Sequence, residues 1–217
     1  MLLVTWDSVL IAVSLIVVFI AAFTALDTAG RVAVSRGLLA KLWLVGGGTA
    51  MGIGVWAMHF IGMLAMMMPM SMRYDIPLTS LSLLVAIVTS IMAFAQAVQG
   101  SHLTRRRLVR GTLILGSGVV AMHYIGMNAL LIEPAIGWNR SLVALSVFIA
   151  YAASGAALWL AFHLRQGENL LLMRACAALV MGIAIAGMHY TGMAAAQFTM
   201  PGSMQHHGVS RMGWRYG

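Results

Sequence analysis

Met58-His59-Phe60-Ile61-Gly62-Met63, Met122-His123-Tyr124-Ile125-Gly126-Met127 and Met188-His189-Tyr190-Thr191-Gly192-Met193 are three versions of one hexapeptide. Their histidines stand 64 and 66 residues apart, so the 217-residue chain uses a single unit three times. A recurrence at fixed period sets the fold before any single element does. Each copy lies near the end of a long apolar stretch. Histidine inside a membrane is costly and is kept there mainly for function.

Working outward, hydrophobic residues make up 61% of the chain and charged residues only 8%, with a mean hydropathy of +0.93. So few charges cannot cover the apolar surface of a soluble domain of this size. Six stretches, 8–29, 38–66, 76–99, 108–132, 141–164 and 170–197, are long enough to span about 30 Å of hydrocarbon. The sequence therefore predicts an all-α, polytopic membrane protein with six transmembrane helices. No Lys or Arg precedes the first apolar run, which is read as the first span and not as a cleaved signal peptide. One membrane domain is expected over 1–200, with repeats at 8–70, 76–135 and 141–197. A polar tail, 201–217, is read as disordered.

The net charge of +8 does not point to nucleic acid, because it is spread over short loops. Arg31, Arg36 and Lys41, then Arg105, Arg106, Arg107 and Arg110, then Arg165 and Arg174 fall in three alternate connections. The other connections hold Arg73 and Arg140, and the tail holds Arg211 and Arg215. Since Lys and Arg gather on the cytoplasmic side, the N-terminus is expected outside. The basic runs would meet anionic lipid headgroups.

A repeat of two spans restores its own direction, so the three copies are parallel around a pseudo-threefold axis. His59, His123 and His189 must then share one depth. His59 stands 18 residues past Lys41, about 27 Å of helical rise, which places the triad towards the external face. Gly52, Gly116 and Gly182 precede the histidines by seven residues, and Gly62, Gly126 and Gly192 follow by three. At about 100° per residue, these glycines, the histidines and the +4 methionines Met63, Met127 and Met193 lie on one helix face. The simplest assembly turns that stripe, on the second, fourth and sixth helices, towards the axis, where small residues let backbones approach.

A histidine and a methionine at i and i+4 can hold one ion. Imidazole suits zinc, copper, iron and nickel, whereas thioether selects Cu(I). No acid falls in a motif, which argues against calcium, magnesium and manganese. Six methionines between Met63 and Met72 add weight to copper. A duplicated packing motif is the competing reading, because duplication copies structural residues too. Three histidines alone leave an open position for a further ligand, as in three-ligand zinc sites. Zinc is thus also possible, and haem is disfavoured for want of acid and base partners.

Other residues carry less. Phe60, Tyr124 and Tyr190 read as interfacial anchors, and Asp27 as a partner of Arg31 at i+4. Cys176 reads as a small buried hydrophobe, His102 and His163 as solvated, and His206 and His207 as part of the tail. No nucleophilic triad, phosphate loop or Cys-pair site occurs, so the chain reads as non-enzymatic. A transporter or channel is the alternative function, but the even helices offer mainly apolar residues beneath the histidines.

Met188-His189-Tyr190-Thr191 resembles the signature of the MHYT sensor domain letter for letter; the other copies depart at the last one or two positions. The resemblance spans about 8–197. It implies a bacterial inner-membrane sensory module joined to, or partnered with, a cytoplasmic output domain. It implies a copper site sensing a diatomic gas or the metal itself. His59, His123, His189, Met63, Met127 and Met193 would be ligands, with Met58, Met122 and Met188 supporting them.

Overall fold

The computed structural model describes residues 5–67, 73–98, 100, 102–131, 136–166 and 170–197. In chain order the elements are β1 (Thr5–Trp6), α1 (Ser8–Val34), α2 (Gly37–Leu64), β2 (Met66–Met67), β3 (Arg73–Tyr74) and α3 (Ile76–Val98). They continue with α4 (Arg105–Asn128), β4 (Leu130–Leu131), β5 (Gly137–Trp138), α5 (Arg140–His163), α6 (Leu170–Ala195) and β6 (Ala196–Gln197). All six long helices have the length and hydropathy to cross a membrane, in agreement with the six expected spans. The tail with His206 and His207, and Met68, Met70 and Met72, lie outside the described residues.

Each helix pair is an antiparallel hairpin closed at both ends. At the basic end of the first, only Ser35 and Arg36 separate α1 from α2, and Gly37 turns the chain with φ +59°. At the histidine end, short strands pair antiparallel, β1 with β2, β3 with β4 and β5 with β6. Asp7 N–H donates to the Ala65 carbonyl, Asp75 to Ala129 and Asn139 to Ala195, at 2.8, 2.8 and 2.9 Å. The side chains of these same three residues accept from the opening turns of α1, α3 and α5. One polar residue per repeat thus caps a helix and ties its hairpin shut. The sequence reading had these strand residues as span ends or loops.

Neighbouring helices pack in chain order and α6 packs against α1, closing a ring of three hairpins. The expected axial stripe on the even helices holds only in part. Gly52 and Gly116 do not face the axis; they face the odd helix of the next repeat. A Cβ on Gly52 would lie 2.6 Å from Ile87 Cα, and one on Gly116 would strike the Tyr151 ring. α2, α4 and α6 meet at the histidines, whereas further along the ring α1, α3 and α5 also reach the interior. Leu26, Phe94 and Leu158 from the odd helices, with Met51, Leu115 and Met181 from the even ones, line an internal apolar cavity of about 30 Å³.

Candidate metal centre

Helices α2, α4 and α6 each deliver one histidine to the middle of the ring. His59, His123 and His189 have no solvent exposure. Their Nδ1 atoms form a triangle: 3.1 Å between His59 and His189, 3.1 Å between His59 and His123, and 3.4 Å between His123 and His189. The rings stand nearly edge-on, at 72–89° to one another.

This triangle cannot be satisfied by hydrogen bonding alone. Each contact needs one proton between two nitrogens. Three mutually adjacent atoms cannot alternate as donor and acceptor, so one contact must set two protons or two lone pairs face to face. A cation held by all three lone pairs removes the conflict. The spacing fits such an ion, since three nitrogens on a tetrahedral centre at 2.0–2.1 Å stand about 3.3 Å apart. The buried triad could therefore hold a metal.

The +3 glycines make the triangle possible, and by a route the sequence reading did not foresee. A Cβ on Gly62 would clash with His189 Nε2, one on Gly126 with His59 Nε2, and one on Gly192 with His123 Nε2. Each glycine admits an imidazole from another repeat, and does not serve helix–helix contact as such. The three Nε2 atoms are buried without a hydrogen-bond partner among the described residues.

Methionines stand on both sides. Met63, Met127 and Met193 are buried beyond the histidines in one cluster with Met66 and Leu130. Met58, Met122 and Met188 belong to the main core on the other side. The expected opening for an external ligand is absent: the +4 methionines and their neighbours fill that side, and no imidazole atom reaches solvent.

The aromatic residues after the histidines are half-buried and also make contacts between helices. Tyr124 Oη lies 2.7 Å from Ser146 Oγ, and Tyr190 Oη 2.9 Å from Ser14 Oγ. Phe60 has no hydroxyl, and in that repeat Trp56 Nε1 donates to Ser82 Oγ at 3.0 Å. Each even helix is thereby latched to the odd helix of the following repeat. Each of these serines stands seven residues after Asp7, Asp75 or Asn139, a spacing that is visible in the sequence. Trp6, Tyr74 and Trp138 add edge-on contacts to Tyr190, Phe60 and Tyr124. Burial pushes the Tyr74 phenol above its ordinary pKa.

At the basic end, Asp27 pairs with Arg31 at 2.8 Å as expected and also with Arg174 of α6 at 3.0 Å. His102 and His163 are exposed, as expected. Cys176 is exposed and not buried as expected; it lies on the side of α6 that borders a surface groove with α1.

The MHYT model, described as a bacterial signalling protein N-terminal repeat, matches residues 52–111, 116–173 and 182–210. The chain is 53% identical over 201 residues to the bifunctional diguanylate cyclase/cyclic di-GMP phosphodiesterase MucR of Pseudomonas aeruginosa, covering 92% of this chain and 29% of that protein. It is 38% identical to the signaling protein YkoW of Bacillus subtilis (90% and 24% covered). It is 37% identical to the cyclic di-GMP phosphodiesterase NbdA of Pseudomonas aeruginosa (91% and 25% covered). The chain thus spans under a third of the length of these relatives. No solved structure matches it.

Proposed function

This chain belongs to the MHYT family of bacterial signalling proteins, and on that footing we propose that it is a membrane sensor module whose histidine triad holds copper. His59, His123 and His189 would ligate through Nδ1, with Met63, Met127 and Met193 supplying thioether sulfur from the adjoining cluster. Met58, Met122 and Met188 would support the packing beneath the triad, whereas Gly52, Gly116 and Gly182 face the seams between repeats. The Nδ1 triangle is the observation that carries this reading, since it is spaced for an ion and frustrated without one. A soft, electron-rich Cu(I) centre is what imidazole and thioether together select, and it supplies an affinity for small uncharged ligands.

The apolar burial of the triad supports a small uncharged signal, such as a diatomic gas, over a fluctuating ion. The helices meeting at the triad are the ones latched to their neighbours by Tyr124, Tyr190 and Trp56. A change in the histidine spacing would therefore shift the whole ring. The basic face would be cytoplasmic, the N-terminus outside, and the readout a cytoplasmic output domain in the same protein or a partner. Transport finds little support, because the axis below the triad is lined by Leu26, Phe94, Leu158 and their neighbours.

The test compares Cu(I) and Zn(II) affinity in the purified chain and in a variant with Met63, Met127 and Met193 all changed to Leu. Copper affinity is expected to fall at least about tenfold and zinc affinity to stay within about twofold. Equal loss of both would remove the thioethers from the ligand set.

A further inference from the structure

The three inter-repeat seams are not equivalent. At α2/α3 a Cβ on Gly52 would overlap Ile87 backbone, and at α4/α5 one on Gly116 would overlap Tyr151. At α6/α1 the matching Gly182 has room: its Cβ would find Val18 Cγ1 at 3.4 Å and Phe19 N at 3.6 Å, ordinary contact distances. This is also the seam that no connecting segment bridges.

Along it lies an apolar groove of about 440 Å³, walled by Leu15, Ile16 and Phe19 of α1 and by Ala175, Cys176 and Leu179 of α6. One of its walls, Ala175, is the residue after Arg174. Arg174 lines a second pocket, of about 470 Å³, on the basic face with Asp27, Gly30, Arg31 and Arg165. Three guanidinium groups there surround one described carboxylate.

The pocket is built and specific to this seam. A Cβ on Gly30 would crowd Nη2 of the Arg174 guanidinium, so glycine makes room for it. Arg174 is held by Asp27 Oδ1 and the carbonyls of Leu164 and Arg165. Arg165 donates to the carbonyls of Val98 and Gly100. Arg31 gives Nε to Asp27 and lies over the Trp43 ring at 4.8 Å. Among the described residues no acceptor meets its Nη groups. At the other seams the positions matching Asp27 are Ala95 and Trp159, and those matching Arg174 are Leu44 and Leu108. Burial and, secondarily, the neighbouring Arg107 charge hold the Arg165 guanidinium below its ordinary pKa.

We propose that the α6/α1 seam binds one anionic phospholipid, its headgroup phosphate at Arg31 and Arg174 and an acyl chain in the groove of Leu15, Phe19 and Leu179. Guanidinium recognises phosphate through paired, charge-assisted hydrogen bonds, and basic pockets between membrane helices take anionic headgroups. The apolar groove on the same seam, with Ala175 next in the chain to Arg174, is what a lipid needs and a soluble phosphate compound does not. Such a lipid would sit between the first and last helices of the ring, where packing is loosest.

The test releases the full chain from vesicles of equimolar phosphatidylglycerol and phosphatidylcholine and counts retained lipid by native mass spectrometry. One phosphatidylglycerol is expected to be retained in preference to phosphatidylcholine. Arg31→Gln is expected to weaken that retention about tenfold, the scale of one charge-assisted hydrogen bond. Leu179→Trp, which fills the groove without touching the charges, is expected to do the same. Both residues are exposed, 52% for the Arg31 side chain and 54% for Leu179, so both variants should fold. Arg106→Gln, elsewhere on the basic face, is the control and is expected to have no effect. Equal loss with Arg106→Gln, or full retention in Leu179→Trp, would overturn the proposal. So would binding of inorganic phosphate in pure phosphatidylcholine vesicles that matches that of phosphatidylglycerol.

Discussion

At the residue scale, the histidines depend on glycines in other repeats. Gly126→Ala would drive a methyl group against His59 Nε2. Overpacking of this kind costs about 1–3 kcal/mol, and here the cost falls on the triad itself. The variant is expected to lose thermal stability and bound metal together. Gly187, where a Cβ meets nothing within 4 Å, supplies the control. Gly187→Ala is expected to be neutral or stabilising by up to about 1 kcal/mol, as for alanine in an open helix position. The latches can be tested separately: Tyr124→Phe should cost about 1 kcal/mol for the lost hydrogen bond to Ser146. A double-mutant cycle with Ser146→Ala that gives no coupling would show that the latch does not stabilise the ring.

The sequence made the histidines legible because each lies in the same hexapeptide at the same spacing. It hid what their glycines are for, since helical periodicity places residues on a face without saying which neighbour fills it. The serines are one example: Ser14, Ser82 and Ser146 look like ordinary helix residues until the partner across the seam is known. Trp56 is another. Val120 and Ala186 occupy its position in the other repeats, so it appears as an irregularity in the repeat when it in fact substitutes for the hydroxyl that Phe60 lacks.

At the scale of elements, packing separates what the sequence placed on one stripe. Gly52 closes α2 onto α3, while the matching Gly182 leaves space between α6 and α1. Alanine at these two sites is therefore expected to act in opposite directions. Gly52→Ala should destabilise by about 2 kcal/mol through backbone overlap with Ile87. Gly182→Ala should be neutral or gain up to about 1 kcal/mol of helix propensity. Unfolding midpoints in a common detergent compare the two directly. Equal destabilisation would mean that all three seams are packed alike. The hairpin ends were only half legible. The caps Asp7, Asp75 and Asn139 recur in register, but two-residue strands are too short to leave a pattern.

At the scale of the whole molecule, six long apolar helices form a closed ring with histidines at one end and arginines at the other. Composition and charge placement made this architecture readable, because lipid demands long apolar helices and basic residues favour one side. Orientation follows from charge alone and has its own test. With Cys176 replaced by Ser, a cysteine at Ile136 is expected to react with an impermeant reagent added outside, and one at Arg106 is not. The reverse labelling would invert the orientation.

The central claim is that the ring exists to bring three imidazoles around one ion. Metal content of the chain, purified without chelator or affinity-tag metal, tests it most directly. About one copper per chain is expected, the stoichiometry of a single three-histidine site, with loss of that copper in His123→Ala. Well under one metal per wild-type chain, or an unchanged content in His123→Ala, would contradict it.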